Sequence, residues 1–153
     1  MVVMDTTTRR VHLIPYHMTF TAKDTADLYF KEVFKHHGLP DVFISDRDTR
    51  FTSKFWKALW SLMGTKLAMT TSYPPQANAP NERSHLVIEE ALRSLVQFPP
   101  TDWEEHLPIV EFVINNSVNR DTGFTPFYLD QGQHPQDPVT LLMPRNVGTA
   151  DRN

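Results

Sequence analysis

Asp41-Val42-Phe43-Ile44-Ser45-Asp46 runs straight into Arg47-Asp48-Thr49-Arg50-Phe51-Thr52-Ser53 and then Lys54-Phe55-Trp56. The first six residues read as a short buried strand that ends in a carboxylate. Residues 53–63 read as a helix, with Phe55, Leu59, Leu62 and Met63 facing the core and Gly64 as its stop. In open α/β sheets, sites collect at the C-terminal ends of strands, which is where Asp46 falls.

The pattern continues on both sides. Val2-Val3-Met4 and the run from Val11 to Tyr16, separated by the polar stretch Asp5-Thr6-Thr7-Thr8-Arg9-Arg10, predict a β-hairpin. Residues 19–37 predict a helix: Thr21 with Asp24 forms a capping box, and Ala22, Ala26, Tyr29, Phe30, Val33 and Phe34 recur at helical spacing. Gly38 and Pro40 end it. After the helix at 53–63, a short strand is expected over 66–71 and a Pro-rich loop over 72–80. Helices are expected over 81–96, over 101–118 (Thr101 and Glu104 as capping box) and over 125–131. The order β-β-α-β-α-β-α-α predicts an α/β layer fold with a mixed sheet flanked by helices.

The chain has 153 residues, a formal net charge of −3, 40% hydrophobic and 11% aromatic residues. That suffices for one core, since domains run about 100–200 residues, and it argues against disorder. With 0 Cys, disulfides, thiolate zinc sites and Cys nucleophiles are excluded. No apolar run reaches the roughly 18 residues a membrane helix needs. Mild acidity argues against a self-sufficient DNA-binding module but not against an enzyme that meets nucleic acid through a local patch.

Two carboxylates carry the chemistry. Asp46 ends a strand, and Glu82, 36 positions later, falls in the first turn of an expected helix. Such a pair suits a hard cation like Mg²⁺. On spacing alone the plainer roles stay open: Asp as a turn residue and Glu as a partner of the helix dipole.

The residues around the pair resemble a known family. Ser45-Asp46-Arg47-Asp48-Thr49-Arg50-Phe51-Thr52-Ser53 with Phe55-Trp56, preceded by His37-Gly38-Leu39-Pro40, is similar to the second-Asp segment of Ty3/gypsy-type retrotransposon integrases. Tyr73-Pro74-Pro75-Gln76 and Asn81-Glu82-Arg83 resemble that family's Tyr-His-Pro-Gln loop and Thr-Glu-Arg. Trp103, Leu107-Pro108, Glu111-Phe112, Asn115-Asn116-Ser117 and Thr122-Gly123-Phe124-Thr125-Pro126-Phe127 resemble its last helices. The resemblance spans residues 2–134 and assigns 1–133 to an integrase core-like domain, with 134–153 a loose extension.

What the resemblance implies is an RNase H-like fold in which three acids hold two Mg²⁺ (or Mn²⁺) ions for DNA 3′-end processing and strand transfer. Asp46 and Glu82 match the second and third acids, as metal ligands. Tyr73, Gln76, Asn78 and Arg83 match positions that contact DNA, and Arg47, Arg50 and Lys54 are further candidates for phosphates. Such cores dimerise through helices, which makes residues 103–116 a candidate homodimer interface. The partners implied are element ends and target DNA; the compartment is the nucleus, and no membrane is involved.

The first acid does not align. In the family it lies one strand before Val2, and Asp5 belongs to the second strand. The fold is therefore expected to lack the first strand, and metal binding to be weakened or lost. The alternative function is an inactive integrase remnant serving as a DNA- or protein-binding module. Pro74 and Ala79 stand where the family usually has His and Gly; with Pro80, Ala79 stiffens the loop. His36-His37 reads as a cationic pair at a helix C-terminus. Trp56, Trp60 and Trp103 read as core or interface rather than as stacking platforms.

Overall fold

A computed structural model describes residues 1–69, Glu90, Arg93 and residues 103–136. The hairpin forms as expected. β1 (Val2–Met4) pairs antiparallel with β2 (Val11–Leu13), with Val3 opposite His12. Asp5 shapes the turn: its Oδ1 accepts the N–H groups of Thr7 at 2.6 Å and Thr8 at 2.9 Å. Arg9 completes the turn at φ 63°, a left-handed conformation that a residue with a Cβ adopts at a cost. The second strand is shorter than the apolar run suggested, because Pro15 follows Ile14 and cannot donate to a ladder.

α1 (Ala22–Tyr29) starts at the expected capping box, in which Thr21 and Asp24 satisfy each other's backbone N–H groups. The helix then widens into a π-helical turn at Phe30–Phe34 before α2 (Lys35–His37), an irregularity that side-chain spacing does not reveal. Gly38 ends it at φ 73°, ψ −157°, a region essentially closed to any residue with a Cβ.

β3 (Val42–Ser45) is parallel to β4 (Lys66–Met69), with Ser45 opposite Met69. The crossover carries α3 (Thr49–Thr52), which the sequence reading did not anticipate, and α4 (Lys54–Leu62). The face of α4 agrees with expectation at its two Trp and differs at Phe55 and Leu62. Trp56 and Trp60 are fully buried, whereas Phe55 is 44% and Leu62 88% exposed. Two indoles four residues apart form a wider apolar stripe than the chosen residues did, and they set the helix's rotation. They pack edge-on against each other, Trp56 meets Phe43 edge-on and Trp60 lies tilted against it, and Tyr29 closes over Trp60 at 5.2 Å.

α5 (Trp103–Asn116) and α6 (Pro126–Gln131) follow; Thr125 caps α6 by accepting the Tyr128 N–H at 3.1 Å. Glu90 and Arg93 are helical and exposed, within the stretch expected to be a helix.

The hairpin lies between two apolar layers. Val3 and Ile14 belong to one core, with Ala26, Tyr29, Val33, Trp56 and Trp60. Val2, Met4, Val11 and Leu13 belong to the other, with Leu107, Val110 and Ile114 of α5. This follows from strand geometry, which sends alternate residues to opposite faces. Among the described residues the mixed sheet consists of two separate pairs, β1 with β2 and β3 with β4. The outer edge of β2 is closed by side chains of α5: Asn115 bonds the N–H and C=O of Val11, and Glu111 accepts the Leu13 N–H at 2.8 Å. The expected extension from His134 lies largely outside the described residues, although the His134 ring stacks on Tyr128 at 5.2 Å.

Candidate active site

Asp46 directly follows β3 and is exposed. Its backbone is set by a chain of caps. Asp46 Oδ1 accepts the N–H of Asp48 at 3.1 Å, an Asx turn that breaks the strand. Asp48 caps α3 through the N–H of Arg50 at 2.9 Å, and Ser53 caps α4 through the N–H of Trp56 at 3.1 Å. The buried end of α4 thereby anchors the segment that carries Asp46.

Asp48 and Arg50 are taken up with each other. The Arg50 guanidinium donates from Nε at 2.7 Å and from Nη2 to the two oxygens of Asp48, a bidentate pair. The Arg50 guanidinium and backbone N–H hold the Asp48 carboxyl at about 2. The guanidinium also lies 5.0 Å from the Tyr16 ring centre. Arg50, read from sequence as a candidate phosphate contact, is thus a structural partner of Asp48. Asp46 is the carboxylate of this segment that faces solvent.

Parallel pairing puts the C-terminal ends of β3 and β4 side by side, so the chain leaves Met69 at the same edge of the sheet as Asp46. Glu82, Tyr73, Gln76, Asn78 and Arg83 lie outside the described residues. Among the described residues no group of three His, Asp or Glu converges in metal-holding geometry.

His36 and His37 stand in the last turn of α2, as read, and His37 has a partner that the sequence did not show. His37 Nε2 lies 2.7 Å from His12 Nε2, across from β2. Burial, and then the charge of His12, hold the His37 imidazole below its usual range. Glu111 and Asp130 flank the two rings. Sequence reasoning missed this group, and also the edge-closing role of Glu111 and Asn115. The available signal was a pair of polar residues four apart among the buried Leu107 and Val110 and the partly buried Ile114 of one helix.

Comparison with known proteins agrees with this geometry. The fold superposes on the HTLV-2 integrase catalytic core domain, solved with magnesium in a trimeric form, at a TM-score of 0.66 and 17% identity over 84% of this chain and 82% of that one. The fold is that of a retroviral integrase catalytic core. The BIV integrase core matches at 0.66 and 22% identity over 84% and 82% of the two chains. A simian T-cell lymphotropic virus intasome in complex with the PP2A regulatory subunit B56 gamma matches at 0.71 and 17% identity over 98% of this chain and 53% of that one. In sequence, the chain is homologous to transposon Tf2 polyproteins of Schizosaccharomyces pombe. Tf2-3 and Tf2-4 are each 30% identical over 126 residues, 82% of this chain. The chain spans about a tenth of the length of those polyproteins. No family model matches it. The integrase-core resemblance and the RNase H-like fold read from the sequence both stand.

Proposed function

We propose that this chain carries a retrotransposon integrase core-like domain that acts on DNA by divalent-metal-dependent phosphoryl transfer, trimming element ends and joining them to a target. The observation that carries the reading is the setting of Asp46: an exposed carboxylate at the C-terminal end of a parallel strand, in an integrase-core fold. The donor chemistry fits a hard cation, because carboxylate oxygens are what Mg²⁺ prefers. Asp46 and Glu82 would hold Mg²⁺ or Mn²⁺, which when bound supplies activation of a water or 3′-hydroxyl and stabilisation of the leaving oxygen. The Asx turn at Asp46 orients the carboxylate. Tyr73, Gln76, Asn78 and Arg83 position the DNA backbone, and Arg50 holds Asp48 instead.

A third carboxylate is needed for the full reaction. Glu111 and Asn115 close the outer edge of β2, so an added strand would pair with the other edge of β1, on the side away from α5's edge contacts. The second reading, a DNA- or protein-binding module without catalysis, applies where no third carboxylate joins Asp46 and Glu82. Ile109 and Val113, exposed one turn apart on α5, suit a contact with a second copy of the chain. The work of such a protein belongs in the nucleus, where target DNA lies.

The test is strand transfer with a 3′-end DNA substrate. In a longer chain that supplies the third acid, Glu82→Gln is expected to reduce Mg²⁺-dependent joining to background; undiminished joining would remove Glu82 from the site. Residues 1–153 alone are expected not to join ends, and robust joining by them would show that the third acid lies within this sequence.

A further inference from the structure

Four elements meet at two imidazoles. His12 of β2 and His37 of α2 face each other, Nε2 to Nε2, at 2.7 Å. On the far side of His12, Nδ1 lies 3.3 Å from Glu111 Oε1 of α5. On the far side of His37, Nδ1 lies 3.8 Å from Asp130 Oδ1 of α6. The His36 ring stacks parallel to His12 at 5.9 Å. Arg10 lines the same cleft of about 300 Å³, with its guanidinium 4.0 Å from the Phe127 ring centre and its charge acting on Asp130 and Glu111. Lys31 and Glu32 line the neighbouring groove beside His36.

Counting protons along the line Glu111, His12, His37, Asp130 decides its state. Both outer nitrogens face carboxylates: His12 Nδ1 lies within hydrogen-bond reach of Glu111, and His37 Nδ1, too far from Asp130 for a direct bond, is favoured as N–H by the charge of that carboxylate. The inner contact needs one donor and one acceptor. Three ring protons therefore fill every position, and the pair carries one positive charge between two carboxylates. A fourth proton would set two N–H groups head to head at 2.7 Å. Removing one would leave a bare nitrogen facing a carboxylate or the other ring. At 2.7 Å the two nitrogens are closer than two ligands of one metal ion stand in tetrahedral geometry, and the distance fits a single shared N–H···N proton.

We propose that His12 and His37 form a proton-sharing clasp that binds the hairpin, the end of the first helix, α5 and α6 together at intermediate pH and releases His37 when a second proton is added. Release opens the cleft lined by Arg10, His36 and Gln131 between α2 and α6. The lowered affinity of His37 for its own proton, from burial and then from His12, agrees with the geometry.

The experiment is unfolding of the full chain across about pH 5 to 8, where imidazoles titrate, together with ring-nitrogen NMR. The expected wild-type result is a folding constant that peaks near the ordinary imidazole range and falls on its acid side, by up to about tenfold per pH unit for one extra proton taken up on unfolding. The ring spectra should show three protonated nitrogens and one bare nitrogen shared by the pair near neutral pH. His37→Gln should flatten the acid-side slope, while His36→Gln should leave it unchanged. An equal slope in His37→Gln and wild type, or two rings that titrate independently as neutral imidazoles, would overturn the clasp. The ring spectra of the wild type decide the matter should a variant fold poorly.

Discussion

The Asn115 side chain bonds Val11 as a neighbouring strand would. Its Oδ1 accepts the Val11 N–H at 2.9 Å and its Nδ2 donates to the Val11 C=O at 2.8 Å, 104 positions apart in sequence. Asn115 is wholly buried, and Val11 is 2% exposed. One turn earlier, Glu111 takes the Leu13 N–H. An exposed sheet edge is a template for aggregation, and covering it with a helix removes the hazard. Here the helix also supplies the missing hydrogen-bond partners, which fixes β2 as the end of its sheet.

Asn115→Ala should cost about 2–4 kcal/mol, because it strands a buried N–H and a buried C=O together. Urea unfolding measures this. A loss under about 0.5 kcal/mol, the size of an ordinary surface change, would show that water replaces the amide and that the edge is open.

The helix α4 should show a sharp contrast. Trp60→Ala empties a site that is fully buried and should cost about 3–5 kcal/mol. Leu62→Lys, at a position 88% exposed, should stay within about 0.5 kcal/mol. Trp60→Phe should cost less than the alanine change, since it removes an indole N–H that has no hydrogen-bond partner among the described residues. Comparable losses at Trp60 and Leu62 would contradict the rotation of the helix.

Local signals in the sequence were read well, and long-range ones were not. The capping box at Thr21 and Asp24 and the Gly38 stop depend on residues close in sequence, and each formed, as did the short helix expected from Thr125. The face of α4 was misjudged at Phe55 and Leu62 because spacing alone cannot rank Phe55 against Trp56 without knowing what lies opposite, here Phe43 and Tyr29. The π turn after Tyr29 has no side-chain signature. The pairing of His12 with His37 and of Val11 with Asn115 depends on tertiary placement that periodicity does not encode. At the candidate site, Asp46 was legible from its strand-end position. The pairing of Arg50 with Asp48 was not legible, because it forms in a turn that composition does not single out.

Acid should reveal the Asp48 clasp on Arg50. The folded carboxyl titrates at about 2, below its ordinary 3.8. Its contribution is therefore complete above about 3.8 and is lost as pH falls through about 2. Solvent screening at this partly exposed pair keeps the effect small. Asp48→Asn keeps a capping side chain but should lack this acid-side component in a stability profile. Matching profiles would mean the pair has no hold on the turn.

Asp46→Asn should separate folding from chemistry. The amide oxygen can still accept the Asp48 N–H, so stability should shift by less than about 0.5 kcal/mol. Affinity for Mg²⁺ should drop at least tenfold, read by calorimetry, with the loss of a charged ligand. A stable variant with unchanged affinity would take Asp46 out of the metal site.

The most direct measurement is Mn²⁺ titration of the isotope-labelled chain, following which amide signals the paramagnetic ion broadens. A site shared by Asp46 and Glu82 should broaden the amides around both residues together at substoichiometric Mn²⁺, and Glu82→Gln should weaken the broadening at Asp46. Broadening confined to other carboxylates, or none near Asp46, would contradict the metal site on which the integrase reading rests.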